Sequence, residues 1–212
     1  MNDLAEKALH GLQAARREIA ARPVPALAVG GFAAAAVIVV TGGRIGAAPA
    51  AVPLDRWFGL LPSAGYRIGG IGMGAAMFAA IIALLGLWLL ALRVSRQRRF
   101  SVADVWTIAG AWAVPFTVGP PVLSTDVYGY VAHGLLMRDG LSPYHHGPST
   151  LGAQRIVAAI DPSWRSAHST DGPLTLLVEH LAVSVSGGSA VGAVVVLRLI
   201  AIVSVKIGRA HV

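Results

Sequence analysis

The feature that most constrains this chain is a series of apolar stretches near the length that an α-helix needs to cross a bilayer. Such a helix takes about 20 mainly apolar residues. Only 13% of the 212 residues are charged, against about 25% in an ordinary soluble domain. We therefore predict an all-α integral membrane protein with about five transmembrane helices. The predicted spans are Val24–Thr41, Ile68–Leu92, Val102–Val122, Pro173–Ser186 and Ala190–Val205.

The distribution of basic residues predicts the orientation of these spans. Four basic residues precede the first span, and Arg93, Arg96, Arg98 and Arg99 follow the second without an acid among them. Because cytoplasmic loops are enriched in Lys and Arg, both segments are predicted to be cytoplasmic. The net charge of +7 then reflects topology and contact with anionic lipid rather than nucleic acid. It follows that the segments 44–67 and 124–172 face the outside of the plasma membrane.

Three segments make up the predicted organisation of the chain. Residues 1–23 have the pattern of a cytoplasmic amphipathic leader, and residues 24–205 form the transmembrane domain. A cleavable signal peptide ending near Ala48–Pro49–Ala50 is a rival interpretation, disfavoured by the long charged leader and the spans that follow. The last seven residues, KIGRAHV, back-translate to a common sequencing-adapter read-through. We expect 206–212 to be a non-native tail and the natural protein to continue beyond Val205.

The predicted outer loop, 124–172, concentrates the polar and aromatic residues of an otherwise apolar chain. Val127, Val131 and Leu135 recur every four residues, which predicts a short interfacial helix that Ser124 or Thr125 caps. Asp126 then lies at the helix N-terminus, where the helix dipole favours its charged form. Such a carboxylate can act as a general base, although a helix cap is an equally common role for it.

Aromatic and charged side chains of the same loop are candidates for binding a sugar phosphate. Aromatic rings offer flat faces to sugars, and histidine or arginine neutralises phosphate. Tyrosines near a bilayer surface are also common interfacial anchors, and Asp161 and Asp171 have the sequence context of turn and cap residues. The predicted substrate-binding residues are Tyr128, Tyr130, His133, Tyr144, Trp164, Arg165 and Asp171.

Other kinds of site find less support in the sequence. Cysteine is absent, which excludes disulfides and thiol chemistry. His145 and His146 are adjacent, so their side chains point apart, and no HExxH pattern occurs. We therefore predict no metal site and no cofactor, with any need for a divalent metal left open. Glu179 and Arg198 lie at similar distances from the turn between the last two spans, which predicts an ion pair inside the membrane.

Several spaced elements of the outer loop resemble a known family. They are Ser124–Asp126–Val127–Tyr128–Tyr130, Gly134, Gly140–Leu141–Ser142–Pro143–Tyr144, Gly147–Pro148, Asp161–Pro162–Trp164 and Gly172–Pro173–Leu174. Together they resemble the signature of the polyprenol-phosphate-mannose-dependent α-1,6-mannosyltransferases, which belong to the GT-C class of integral-membrane glycosyltransferases. The family usually has tyrosine before the last Gly-Pro, where this chain has Asp171.

The resemblance implies an N-terminal fragment of an inverting enzyme that transfers mannose from a polyprenyl-phosphate donor. The acceptor would be a lipid-anchored α-1,6-mannan at the outer face of the membrane, and Asp126 would be the catalytic base. The fragment alone is expected to be inactive. Two alternatives stay open at this point: a GT-C enzyme for another sugar such as arabinose, and a non-enzymatic transporter or envelope-assembly protein. A transporter would place its ionisable residues around a cavity at the bilayer midplane.

Overall fold

The computed structural model describes residues 22–44, 71–122 and 124–208, and helices are the regular structure found in them. Most of the predicted leader, much of the first outer loop and the end of the predicted tail lie outside the described residues. The all-α class is confirmed for the part of the chain that the structure describes. The helices are α1 Pro23–Arg44, α2 Ile71–Arg98, α3 Val102–Val118, α4 Asp126–Arg138, α5 Arg155–Ala159, α6 Pro173–Val185 and α7 Ala190–Gly208, with short 3-10 helices at Pro148–Leu151 and Pro162–Trp164.

Among the residues that the structure describes, two helices have the length and composition of membrane spans. They are Pro23–Gly43, within α1, and the whole of α2. Nearly all side chains of α2 are at least partly exposed although it is strongly apolar, as expected for a helix surrounded by lipid. The helices Val102–Val118, Pro173–Val185 and Ala190–Ser204 are apolar but shorter. The prediction of a membrane protein is therefore supported, and the full set of five spans stays a prediction.

The first compact unit contains, of the described residues, 22–38 and 74–116. In this unit Gly31 of α1 lies against the indole of Trp112 in α3, and a Cβ at residue 31 would overlap that ring. The indole Nε1 donates a hydrogen bond to the Leu27 carbonyl oxygen at 2.9 Å. One missing side chain thus allows an aromatic residue of α3 to reach the backbone of α1.

The second compact unit contains the remaining described residues and carries the predicted outer loop. Its core forms where α4 packs against α6, α7 and the short helices of the loop. The buried face of α4 includes Val131 and Leu135, whose spacing predicted this helix. The helix that was expected from that spacing is confirmed, with Asp126 as its first residue and Arg138 as its last.

Gly134 sets the closeness of α4 and α6. A Cβ at this position would lie 2.5 Å from the Glu179 carbonyl oxygen and 2.7 Å from a Val183 methyl group. Glycine is therefore required by the packing of the two helices rather than by its own backbone conformation. The same contact brings the side chain of His133, one residue earlier on α4, to the side chain of Glu179 on α6.

Main-chain hydrogen bonds fold the segment between α4 and α6. The Ser149 amide donates to the Arg165 carbonyl oxygen at 2.7 Å, and the Ser169 amide donates to the Pro143 carbonyl oxygen at 2.9 Å. Gly147 is buried where its chain segment contacts that of Ser166, and a Cβ at residue 147 would lie 2.7 Å from the Ser166 carbonyl carbon. This long connection is an ordered part of the unit and holds its chain segments in a defined arrangement.

The guanidinium of Arg198 contacts the last turn of α3 and the residue that follows it. It donates hydrogen bonds to the carbonyl oxygens of Thr117, at 3.1 Å, and Gly119. Helix ends leave carbonyl oxygens without partners, so Arg198 satisfies groups that a membrane could not. Neither carboxylate oxygen of Glu179 accepts a hydrogen bond, and its ionic neighbour within 4 Å is His133. The predicted ion pair between Glu179 and Arg198 is therefore wrong.

Substituting Gly134 with alanine should destabilise the second unit. The added methyl group would collide with backbone atoms of α6, which cannot move as a side chain does. We expect a loss of about 1–3 kcal/mol in unfolding free energy, the usual range for overpacking. Thermal unfolding of the protein in detergent would measure it.

The matched control is Gly129→Ala on the same helix, where a Cβ meets no atom within 4 Å. Alanine is the better helix former by about 0.5–1 kcal/mol, so this variant should melt at the same or a higher temperature. Equal destabilisation by the two substitutions would contradict the role assigned to the Gly134 contact.

Candidate functional site

A pocket of about 280 Å³ opens in the second unit beside the N-terminal half of α4. Its wall is completed by the Pro162–Trp164 turn and by the segment 167–171 that leads into α6. Five of the eight predicted site residues line it together: Asp126, Tyr130, His133, Trp164 and Asp171. They come from three separate stretches of sequence, which the main-chain hydrogen bonds of the loop hold in place.

Asp126 begins α4 and exposes its carboxylate to the pocket. The Asp126 amide donates a hydrogen bond to Ser124 Oγ at 3.1 Å, so Ser124 rather than Thr125 provides the predicted cap contact. No hydrogen bond to the Asp126 carboxylate is recorded within the described residues. A carboxylate that has no structural partner among the described residues is thus available to a molecule in the pocket.

Tyr130 and Trp164 place aromatic surface next to that carboxylate. Tyr130 is 42% exposed and Trp164 is 62% exposed. Partial burial, reinforced by the negative charges of Asp171, Asp126 and Glu179, raises the pKa of the Tyr130 hydroxyl. Tyr130 is therefore neutral at physiological pH and keeps its proton for donation to a bound oxygen. Exposed aromatic faces combined with hydroxyl and carboxylate groups suit a sugar ring.

A cluster of three ionisable side chains forms where α4, α6 and the preceding loop meet. His133 Nδ1 lies 3.5 Å from Glu179 Oε2 and 3.9 Å from Asp171 Oδ2. Glu179 is 1% exposed, and both of its carboxylate oxygens lack hydrogen-bond partners, as does His133 Nδ1. Buried polar atoms are rarely left unpaired. These nitrogen and oxygen atoms are therefore available to contact a bound ligand.

Asp171, at the unusual position before Gly172–Pro173, is shared between the pocket and its supporting structure. Its carboxylate accepts a hydrogen bond from Ser169 Oγ at 3.2 Å. Its carbonyl oxygen accepts one from the Tyr144 hydroxyl at 2.9 Å. These contacts fix the backbone just before α6 begins. The turn role expected for Asp171 and its position in the pocket are therefore compatible.

The other three predicted binding residues do not line the pocket. Tyr128 is fully buried in the core of the unit, and burial raises the pKa of its hydroxyl while the nearby charge of Arg198 opposes that effect. Tyr144 donates to the Asp171 backbone instead of facing the cavity. Arg165 donates to the carbonyl oxygens of Ile160, at 3.0 Å, and Ala158, at 3.2 Å. Their predicted contact with a substrate stays a prediction.

His168 and Asp161 also line the pocket although neither was among the predicted site residues, and the partner predicted for Glu179 was wrong. Asp161 accepts hydrogen bonds from the hydroxyl and amide of Ser163, which lower its pKa. The predicted capping role of Asp161 is thus confirmed, and its carboxylate adds negative charge to the pocket. Glu179 is recognisable only once α6 is packed on α4, because 46 residues separate it from His133.

A family model covers most of the chain. Residues 28–211 match the model described as "Alpha-(1->6)-mannopyranosyltransferase, N-terminal domain". This range includes every predicted site residue. The chain has no significant match among solved structures.

Curated relatives agree with the family match. A probable alpha-(1->6)-mannopyranosyltransferase of Mycolicibacterium smegmatis is 30% identical over 82% of this chain and 32% of its own length. An alpha-(1->6)-mannopyranosyltransferase of Mycobacterium tuberculosis is 31% identical over 83% of this chain and 30% of its own length. Alpha-(1->6)-mannopyranosyltransferase B of Corynebacterium glutamicum is 30% identical over 52% of the chain and 19% of its own length. The chain thus spans about a third or less of the length of these relatives.

Replacing Tyr128 with phenylalanine should leave stability unchanged or increase it by up to about 1–2 kcal/mol. The Tyr128 hydroxyl is buried without a hydrogen-bond partner, and removing such a group relieves its desolvation penalty. Thermal unfolding in detergent measures the effect.

Tyr144→Phe is the informative comparison because it removes the hydrogen bond to Asp171. We expect it to lower the unfolding free energy by about 0.5–1.5 kcal/mol. A clear loss of stability in Tyr128→Phe, matching that of Tyr144→Phe, would show that the buried hydroxyl has a favourable contact after all.

Proposed function

Because this chain belongs to the alpha-(1->6)-mannopyranosyltransferase family, we propose that its pocket is the active site of an inverting mannosyltransferase. The proposed enzyme is a GT-C-type membrane protein with five spans in this part of the chain. Its N-terminus is cytoplasmic and its pocket opens on the outer face of the plasma membrane. The observation that carries the proposal is the exposed Asp126 carboxylate, which lies in a pocket walled by aromatic residues and has no recorded hydrogen-bond partner in the described structure.

The proposed donor is a polyprenyl-phosphate mannose, and the proposed acceptor is a lipid-anchored α-1,6-mannan. Nucleotide sugars are not normally present outside the membrane, whereas a lipid-linked sugar is delivered to its surface. No glycine-rich loop that follows a strand and binds a nucleotide occurs in the sequence. An apolar tail on the donor also suits a pocket attached to apolar helices.

In the proposed reaction Asp126 is the general base. Its carboxylate accepts the proton of the acceptor's 6-hydroxyl while that oxygen attacks the anomeric carbon of mannose. The bond between the anomeric carbon and the phosphate oxygen breaks, and its electron pair leaves with the polyprenyl phosphate. Attack opposite the leaving group converts a β-linked donor into an α-linked product. A phosphate leaves as a stable anion, so one carboxylate suffices where most glycoside hydrolases need two.

Tyr130 and Trp164 are the proposed sugar-binding residues of this reaction. The neutral Tyr130 hydroxyl can donate to a sugar oxygen, and the Trp164 indole offers a flat apolar face. His133 and Asp171 line the same pocket. Tyr128 is buried in the core and Tyr144 and Arg165 donate hydrogen bonds to backbone carbonyl oxygens, so a contact of these three residues with a substrate stays a prediction.

Transfer by membranes containing the full-length protein tests the donor and the sugar. Radiolabelled polyprenyl-phosphate mannose is expected to label a lipid-anchored mannan with α-1,6 linkages. GDP-mannose and polyprenyl-phosphate arabinose serve as the comparison donors. Labelling from the arabinose donor alone, or from GDP-mannose in membranes unable to make the lipid-linked donor, would refute the proposal.

Asp126→Asn should reduce transfer by about 10²–10⁴-fold, the usual contribution of a general base. The substitution preserves shape and removes the charge, so the protein should remain in the membrane at its normal abundance. Initial rates and immunoblots of the same membranes measure the two quantities.

The matched control is Asp139→Asn, which follows the other end of α4. Asp139 is exposed, lies 3.8 Å from the Arg138 guanidinium and is not among the residues that line the pocket. This variant should transfer mannose at the wild-type rate. Wild-type transfer by Asp126→Asn would exclude Asp126 as the base.

A further inference from the structure

We propose that His133, Asp171 and Glu179 bind one divalent transition-metal ion, Mn²⁺ or Zn²⁺, at the inner wall of the pocket. One ligand atom from each residue lies within 4.8 Å of the other two. An imidazole nitrogen and two carboxylate oxygens form a ligand set that such ions favour. No metal site was predicted from the sequence, because the side chains of His145 and His146 point apart and no HExxH pattern occurs.

The distance between His133 Nδ1 and Glu179 Oε2 suits a shared ion better than a shared proton. Two ligands bound tetrahedrally at about 2.1 Å from an ion lie about 3.4 Å apart. His133 Nδ1 and Glu179 Oε2 are 3.5 Å apart. A charge-assisted hydrogen bond between an imidazolium and a carboxylate would bring them to about 2.7–2.9 Å. The observed spacing is thus too long for a direct proton bridge and close to that of two ligands on one ion.

The burial of Glu179 is the second, independent observation. Its side chain is almost fully buried, and both oxygens lack a hydrogen-bond donor. Burying a carboxylate without a partner is strongly unfavourable, so such groups pair or coordinate metals. The carboxylate points at His133 and so toward the pocket wall, because His133 also lines the cavity. A cation between the three residues would remove this penalty.

The charge of the pocket explains what the ion would do, and this step rests on the proposed function. Asp126, Asp161 and Asp171 line the cavity, and Glu179 lies behind His133. None of the described lining residues is arginine or lysine, since the Arg165 guanidinium is directed to backbone carbonyl oxygens. A phosphodiester donor entering this pocket would be repelled. A divalent ion held by three protein ligands keeps a coordination position open for a phosphate oxygen.

Binding of Mn²⁺ alone to the purified, metal-stripped protein in detergent tests the site. Electron paramagnetic resonance detects the loss of the free Mn²⁺ signal, and we expect saturable binding of about one ion per protein. Pulsed measurements should show ¹⁴N coupling from a directly bound imidazole. Zn²⁺ should displace the bound Mn²⁺. Absence of saturable binding, or of the nitrogen coupling, would overturn the proposal.

Two ligand variants and one control locate the ion. Glu179→Gln and Asp171→Asn should each raise the Kd for Mn²⁺ at least tenfold, while Asp139→Asn should leave it unchanged. Asp171 is 34% exposed, so its variant should fold even if loss of the buried Glu179 charge disturbs packing. Wild-type affinity in Asp171→Asn, or equal loss in the control, would refute the assignment.

The binding measurement uses neither donor nor acceptor, so it separates this proposal from the proposed function. Mn²⁺ binding at the three residues without any mannosyl transfer would leave the site intact and refute the function. Full mannosyl transfer by metal-stripped protein that binds no Mn²⁺ would refute the metal site and leave the proposed function intact.

Discussion

The close contact between α4 and α6 at Gly134 is the constraint on which the second unit depends. Without a side chain at residue 134, the two helices approach until a Cβ would touch the Glu179 backbone. That approach buries Glu179 and sets its carboxylate against His133. The same helix, α4, provides one wall of the pocket through Asp126, Tyr130 and His133. A packing requirement and the placement of ionisable groups therefore have one cause.

Much of the fold could be predicted from the sequence because its elements are local. The apolar spacing Val127–Val131–Leu135 gave the correct helix, and Gly172–Pro173 marks the start of α6, with proline at the first helical turn. The spans predicted at 24–41 and 68–92 correspond to α1 and α2. Helices of this kind depend on residues three or four positions apart, which are visible in one sequence.

The candidate site was only partly predictable because it depends on tertiary contacts. Tyr128 and Tyr130 are two residues apart on a helix, so they face different directions: one enters the core and the other the pocket. The family resemblance could not distinguish them. The partner of Glu179 was assigned from its distance to a turn, an argument about depth that ignores the direction of the side chain. The rotation of each helix about its axis decides such contacts. That rotation depends on packing between distant segments, so no single segment of sequence determines it.

The loop between α4 and α6 has a consequence for evolutionary change. Its two long-range ties, Ser149 to Arg165 and Ser169 to Pro143, join amide and carbonyl groups. Every residue except proline carries both groups, so substitutions at these four positions can preserve the ties wherever an amide remains. Gly147 is different, since a Cβ at this position would overlap the Ser166 backbone. This architecture can hold one pocket shape while many of the side chains on its surface change.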